Sequence, residues 1–452
     1  MVESIFKAYD IRGVYPDELD EQTAYDIGRA YATLIQNENQ GRELTIAVGE
    51  DMRLSTPALK SKLIAGLIDS GVNVVEIGLV TTPTFYFAVG FHKYDGGMMV
   101  SASHNPKDHN GFKMVRARGV PVSGEAGIED IKQMVIKQSF ITAEKKGQVA
   151  HQADVLTEAV QEEIKGIALE KIKPFKIVVD AANAMGALDV EAMFKDLPCE
   201  IIKLNFELDG NFPSHQPDPI VAENRELTRQ EVIKHKADLG IVPDGDGDRY
   251  FFIDEQGNNI PQGILRGIMA QIALKENPGA TVCYDIRPGK ITQDMIEAVN
   301  GHGIVTRVGH SLIKETMLKE KAVFGGESSG HYFYKFPFGT FEAPITLVMK
   351  FLVYLSEQDK PASEVVKPYD IYFHSGEINS KVDDVQGKLK LIKETFSDGK
   401  INELDGITVE YPDWWCNIRP SNTEPLLRLA LEARSQEIME QKRDEILALI
   451  KQ

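Results

Sequence analysis

Three carboxylates stand two residues apart in the run PDGDGDR (Pro243 to Arg249): Asp244, Asp246 and Asp248, with glycine between them. An extended backbone would align them on one face, and the glycines also let the chain curl so that all three converge on one cation. Without a cation they would repel strongly, so the spacing points to a metal. The nearest rival is an EF-hand calcium loop, because the three aspartates match its first three ligand positions and Glu255 falls at the twelfth. That match breaks at the sixth position, where glycine is required and Arg249 stands, and the following YFFID reads as a strand. Three monodentate carboxylates leave open positions suited to Mg2+ and a phosphate oxygen, so one Mg2+ per chain is expected.

Three further segments carry candidate chemistry. In VSASHNPKDHNGFKM (Val100 to Met114), Ser103 stands beside His104 at an Asn-Pro turn that would expose its hydroxyl. Lys113, ten residues on, supplies a cation able to neutralise a phosphate or exchange protons. In FGGESSGHYFY (Phe324 to Tyr334), Glu327, Ser328, Ser329 and His331 form a polar patch, with Glu327 an acceptor for vicinal sugar hydroxyls. In IRPSNTEP (Ile418 to Pro425), Arg419 with Ser421, Asn422 and Thr423 offers a guanidinium fork, two hydroxyls, an amide and turn N–H groups, the makings of a phosphate cradle. Taken singly, each of these three segments also reads as a capped turn or hairpin loop.

The elements that must position these groups are crossover units. A β-rich run, a helical stretch and a second β-rich run recur three times: from TIAVG (Thr45 to Gly49) to VNVVEIG (Val72 to Gly78), from KIVVDA (Lys176 to Ala181) to CEIIKLN (Cys199 to Asn205), and from TVCYDI (Thr281 to Ile286) to GIVTRVG (Gly303 to Gly309). After the polar stretch Ser356 to Asp370, strands alternate with helices and the chain closes on an amphipathic helix from about Ser435 to Ile450. A second polar stretch, around Ala143 to Asp154, reads as a connector. The expected fold is α/β with four domains around a central cleft: three similar α/β domains at 1–150, 151–252 and 253–366, then a smaller α+β domain at 367–452.

Bulk composition narrows the classes. With 452 residues and 42% hydrophobic content the chain can build several cores. A formal charge of -18 argues against nucleic acid and anionic membrane as partners, and obliges any anionic substrate to find a local cationic cluster. Cys199, Cys283 and Cys416 are odd in number and widely spaced, which fits a reducing compartment and packing roles. No basic-then-apolar leader opens the chain, and the most apolar segment, Ile345 to Leu355, is far shorter than the about 20 residues of a membrane span. A cytoplasmic location is expected, with the protein a monomer or weak homo-oligomer.

The four motifs, in this order and across essentially the whole chain, resemble those of the α-D-phosphohexomutase superfamily, in its bacterial phosphomannomutase/phosphoglucomutase branch. SASHNP is similar to the phosphoserine loop, DGDGDR to the metal loop, GESSGH to the sugar-binding loop and RPSNTEP to the phosphate-binding loop. KAYDIRG at the N-terminus and RVGHSLIK (Arg307 to Lys314) resemble two further active-site segments. The resemblance implies reversible phosphoryl transfer between the 1- and 6-positions of a hexose phosphate, through phospho-Ser103 and a bisphosphorylated sugar that turns round between two half-reactions. It makes the oxygen at Ser103 the fourth metal ligand and places Arg12, Lys113 and Arg249 around the transferring group, leaving the hydroxyl's proton between Lys113, His104 and His331. It assigns substrate binding to Tyr9, Arg287, Gly309, His310, Glu327, Ser329, Arg419, Ser421, Asn422 and Thr423, and implies a hexose 1,6-bisphosphate activator.

Two departures bear on nucleophile and specificity. Ser101 stands where the family commonly has Thr, giving a second hydroxyl two residues from Ser103, and Ser328 stands where mannose and glucose mutases often have Met and glucosamine mutases Gln. Asn422 resembles the phosphomannomutase/phosphoglucomutase branch, since the glucosamine branch usually has Gly there. Mannose phosphates are therefore the expected substrates, with glucose phosphates as well. The alternatives are a phosphoglucosamine mutase, a phosphatase in which water accepts the group, and a catalytically silent sugar-phosphate or calcium sensor.

Overall fold

The chain separates into two compact units, each assembled from two stretches of sequence: Met1–Ile260 with Ser329–Val365, and Pro261–Ser328 with Val366–Gln452. The computed structural model describes residues 2–124, 126–287, 289–420 and 426–451.

The first unit begins with β1 (Ile11–Val14) and α1 (Glu21–Glu38), whose first turn is capped by Asp20 accepting the Thr23 N–H. β2 (Thr45–Glu50), α2 (Thr56–Asp69) and β3 (Asn73–Leu79) form the first crossover unit. α3 (Thr82–Phe91) is apolar on every side and accordingly buried along nearly its whole length. β4 (Gly96–Val100), β5 (His109–Arg116), α4 (Ile128–Lys137) and β6 (Val149–His151) complete a sheet in the order β1-β5-β4-β2-β3-β6. Its central strands pair in parallel and are covered on both faces, which explains unbroken apolar runs such as Met98 to Val100. β6 lies within the polar stretch expected to be a connector. Its side chains all face solvent, so main-chain pairing with β3 holds it and composition carries no trace of it.

The second crossover unit follows as α5 (Val155–Glu163), β7 (Lys176–Asp180), α6 (Gly186–Phe194), β8 (Glu200–Leu204), α7 (Glu226–His235), β9 (Leu239–Pro243) and β10 (Tyr250–Asp254). β9 and β10 are antiparallel, with Pro243 opposite Tyr250, so the aspartate-rich run is the hairpin loop between two buried strands.

In the second unit α8 (Gln262–Glu276), β11 (Thr281–Asp285), α9 (Lys290–Ala298), β12 (His302–Thr306), α10 (His310–Glu320) and β13 (Phe324–Gly326) form the third α/β segment, with β11 parallel to both β12 and β13. The chain then re-enters the first unit as the hairpin β14 (Tyr332–Phe336) and β15 (Gly339–Glu342) and the helix α11 (Pro344–Gln358). The polar stretch from Ser356 carries a short helix, α12 (Ala362–Val366). The second unit ends as an α+β segment: β16 (Phe373–Lys381), α13 (Val385–Thr395), β17 (Lys400–Asn402), β18 (Ile407–Glu410), β19 (Trp414–Pro420), β20 (Leu426–Ala433) and α14 (Gln436–Lys451). Its antiparallel sheet, in the order β16-β20-β19-β18-β17, packs Leu429, Leu431 and Trp414 against Ile446 and Ile450. The architecture is thus the expected succession of α/β segments closed by a smaller α+β one. All three cysteines are free thiols, and no described helix is long and apolar enough to cross a membrane.

Candidate active site

The β9–β10 hairpin sets Asp244, Asp246 and Asp248 side by side and buried, with one oxygen of each within 4.8 Å of the others. Part of this acid is already engaged. Asp244 Oδ1 accepts the N–H groups of Asp248 at 3.0 Å and Arg249 at 3.3 Å. Lys113 Nζ donates to Asp246 Oδ2 at 2.6 Å and Asp248 Oδ2 at 2.7 Å, and the Thr82 hydroxyl donates to Asp246 Oδ2 at 2.5 Å. Asp246 Oδ1, in contrast, is buried with no hydrogen-bond partner. Leaving a buried carboxylate oxygen so costs about 1–3 kcal/mol or more, and a hard cation among three carboxylates supplies the missing partner. The three aspartates could hold a metal ion.

Protonation follows from the same contacts. Burial, reinforced by Asp248 and Asp246, pushes Asp244 well above the usual carboxylate range. Burial would also raise Asp248, but Lys113 and His331 hold it well below that range. Burial would lower Lys113, yet Asp246 and Asp248 raise it well above an ordinary lysine, so it is a firmly protonated ammonium. Glu255 accepts from the Ser363 N–H at 3.1 Å and lies outside the aspartate cluster, which removes the EF-hand reading.

Ser103 follows β4 in a left-handed turn (φ 53°) and is 1% exposed. Its Oγ lies 3.2 Å from Asp244 Oδ2 and 3.1 Å from His104 Nδ1. The two loops approach as closely as backbone permits: a Cβ at Gly245 would come within 2.4 Å of the Ser103 carbonyl oxygen, and Gly247, at φ 76°, would bring one within 2.9 Å of Thr81 Cγ2. Ser101 is turned inward and its Oγ accepts the Ser103 N–H at 3.0 Å. Burial, together with Arg249 and Arg12, depresses His104 well below the usual imidazole range, leaving it neutral.

Arg12, on β1, donates to Asn105 Oδ1 at 2.6 Å and pairs with Asp10. Tyr9 lies half-buried in the bend just before it. Arg249 Nε is 3.6 Å from Asp244 Oδ2 and 3.8 Å from Asp248 Oδ1. The Tyr250 N–H bonds to the Gly330 carbonyl, which brings His331 to the loop with Nε2 3.2 Å from both Arg249 Nε and Asp248 Oδ1. His331 Nδ1 lies 2.9 Å from Ser329 Oγ.

In the second unit, Glu327 Oε1 accepts the N–H of Gly309 at 2.8 Å and lies 3.8 Å from Arg287. Gly309 adopts φ 140° immediately before His310, the first residue of α10. Asp285 organises this region: it pairs with Arg266 and Arg287 and accepts both the N–H and hydroxyl of Ser328, at 3.1 and 2.9 Å. Arg419, on β19, donates to Glu377 Oε2 at 2.7 Å, and its cross-strand neighbour Arg428 donates to the other oxygen at 3.1 Å. Ser421, Asn422 and Thr423 lie outside the described residues.

Models of the four phosphoglucomutase/phosphomannomutase domains match in succession: the α/β/α domains I, II and III at residues 3–142, 155–257 and 264–372, and the C-terminal domain at 377–449. The chain belongs to the phosphoglucomutase/phosphomannomutase family. Among its relatives, a phosphomannomutase of Vibrio cholerae is 38% identical over 99% of this chain and 98% of that protein, and a phosphomannomutase of Methanocaldococcus jannaschii is 39% identical over 99% and 97%. A crystal structure of a phosphoglucomutase/phosphomannomutase family protein from Burkholderia thailandensis matches with a TM-score of 0.91 and 33% identity, covering 100% of this chain and 98% of that one. This chain is accordingly a phosphohexomutase-type isomerase of carbohydrate metabolism.

Within this family member the first unit gathers Arg12, Ser103, His104, Lys113, Asp244, Asp246, Asp248, Arg249 and His331. The second gathers Arg287, Gly309 and Glu327, and carries Arg419 on β19. Motif reading missed Thr82, which fastens Asp246, Asp285, which holds the turn at Ser328, and Arg53, buried behind Ser103. The run DMRLSTP gives Arg53 no distinguishing mark, since its role arises only from carbonyls fifty or more residues away.

Proposed function

We propose that this enzyme interconverts mannose 6-phosphate and mannose 1-phosphate, with glucose phosphates as a second substrate pair, using Ser103 as phosphoryl carrier. The observation that carries the reading is the Ser103 hydroxyl set against Asp244 in the aspartate cluster, with the ammonium of Lys113 between Asp246 and Asp248. Mg2+ is the ion proposed, held by Asp244, Asp246, Asp248 and the oxygen at Ser103, because the donor set is all hard oxygen. When bound, it would neutralise charge on the phosphoryl oxygens.

The chain's own groups then have these roles. A sugar hydroxyl oxygen forms a bond to phosphorus as the Ser103 Oγ–phosphorus bond breaks, and the hydroxyl proton ends on Ser103 Oγ. His104, neutral and 3.1 Å from Ser103 Oγ, is the relay for that proton. Lys113, kept charged by its two aspartates, is assigned to electrostatic stabilisation. Arg12 and Arg249 orient the group in transfer, with His331 holding Arg249. Ser101 is set aside as the carrier, because its hydroxyl is turned to the Ser103 N–H.

Glu327, with Tyr9, Gly309, His310 and Ser329, is assigned to the sugar, and Arg419, Arg287 and the 421–423 segment to the phosphate that stays in place. The division of labour is serine loop in 1–150, metal loop in 151–252, sugar loop in 253–366 and phosphate cradle in 367–452. A hexose 1,6-bisphosphate keeps Ser103 charged with phosphate, and the enzyme works in the cytoplasm as a monomer or weak homo-oligomer. Coupled assays on mannose, glucose and glucosamine 1-phosphates, with bisphosphate and Mg2+ present, test the reading. Turnover of the glucosamine phosphate alone would overturn the substrate assignment, and free phosphate released as fast as isomer would replace the mutase with a phosphatase.

A further inference from the structure

Behind the serine loop lies Arg53, whose side chain is fully buried between α2's first turn and the loop itself. Nη2 donates to the carbonyl oxygens of Ser103 at 2.7 Å and Asn105 at 2.6 Å, and Nη1 to those of Pro106 at 2.7 Å and His109 at 3.0 Å. The guanidinium lies 5.0 Å from the Phe212 ring centroid, and Nε pairs with Asp51 at 3.3 Å. The one carbonyl left between Ser103 and Pro106, that of His104, accepts from Gln216 Nε2 at 2.6 Å. Every carbonyl from Ser103 to Pro106 therefore meets an outside side-chain donor.

Asp51 fixes Arg53 itself. It accepts from the Arg53 N–H and from Thr56 Oγ1, while Ser101 Oγ accepts the Ser103 N–H. Ser103 is thus gripped at its N–H by Ser101 and at its C=O by Arg53, which Asp51 pairs. A peptide plane carries N–H and C=O on opposite edges, so fixing both around one residue fixes its φ and ψ, here in a left-handed conformation that serine does not favour.

We propose that Arg53, paired by Asp51 and joined by Ser101, is a positioning clamp that holds Ser103 Oγ at one place whether or not it carries phosphate. The inference rests on Ser103 being the carrier. A serine that gains and loses about two negative charges in each cycle tends to reshape a loop, and both half-reactions need the same geometry. Four hydrogen bonds from one planar fork resist that, and only arginine supplies them: a lysine ammonium has three donors radiating from a single point. Arg53 is 1% exposed and has no path to substrate, so its effect falls on turnover and not on recognition.

The test compares Arg53→Lys, Arg53→Ala and Ser101→Ala with the wild-type enzyme, measuring kcat, KM, thermal midpoint and phosphate on Ser103 by intact mass. Arg53→Lys is expected to fold, with kcat down about 100-fold and KM within about threefold, the signature of a misplaced reacting atom. In folded Arg53→Ala, millimolar guanidinium is expected to restore kcat about tenfold or more, and methylammonium not to. Unchanged kcat in Arg53→Lys, a rise in KM matching the fall in kcat, or a folded Arg53→Ala indifferent to guanidinium would each overturn the clamp. Should neither arginine variant fold, Ser101→Ala decides: a kcat loss of about tenfold at constant KM supports the clamp, and full activity overturns it. Wild-type protein that turns over without ever carrying phosphate on Ser103 would remove the underlying reading instead.

Discussion

In the first unit Lys113 is locked between Asp246 and Asp248, whereas in the second Arg419 and Arg428 face each other across neighbouring strands and share the single carboxylate of Glu377. Like charges directly opposite on a sheet are destabilising, so this arrangement makes sense where an anion is to be received. On the proposed roles, chemistry falls where internal pairing fixes the geometry, at Lys113, and recognition at the cross-strand pair Arg419 and Arg428. On that proposal a chain of net charge -18 receives sugar phosphates by local attraction.

The contrast breaks most clearly at Ser103. Ser103→Ala is expected to lower kcat by about 10,000-fold or more while equilibrium binding of hexose phosphate by calorimetry stays measurable. Lys113→Met should cost kcat about 100- to 1,000-fold with a smaller change in KM, because the ammonium acts on charge developed in transfer. A KM-dominated loss at Lys113 would erase the proposed division. Arg419→Ala should do the reverse, raising KM about tenfold and leaving kcat within about threefold in steady-state assays.

No effect on turnover, only one on stability, is expected away from both sets of residues. Glu163 on α5 is buried against the Thr346 N–H at the start of α11, and burial pushes its carboxyl up to about 8. The unfolded value is about 4.3, so between the two the folded state binds more protons and stability falls as pH rises. Glu163→Gln removes that decline. From about pH 5 to 8 the wild type should lose on the order of 3 kcal/mol relative to this variant, read as diverging thermal midpoints, with kcat unchanged.

What could be read ahead of the structure follows physical lines. Buried parallel strands announce themselves as apolar runs, so Thr45 to Glu50, Lys176 to Asp180 and Thr281 to Asp285 were evident from composition. Val149 to His151 was not, since an exposed edge strand held by main-chain bonds needs no apolar face. The short helix Ala362–Val366 buries Ala362, Val365 and Val366, but five residues are too few to show a helical period within a polar run. At the site, aspartates spaced by glycine and a serine before His-Asn-Pro carry their chemistry in their spacing. Arg53, Thr82 and Asp285 act through tertiary contacts alone, and an isolated Arg, Thr or Asp carries no local mark of that.

Lys113 and Thr82 belong to the first α/β segment and the carboxylate they hold, Asp246, to the second, 133 and 164 positions later. During synthesis the cation and the hydroxyl are therefore made before the acid they will neutralise, and the aspartate loop enters a partly assembled seat. A chimera that exchanges the second segment between relatives must keep Thr82, Ser103 and Lys113 matched to the incoming loop. An excised second segment would present three crowded carboxylates to water and bind its cation weakly.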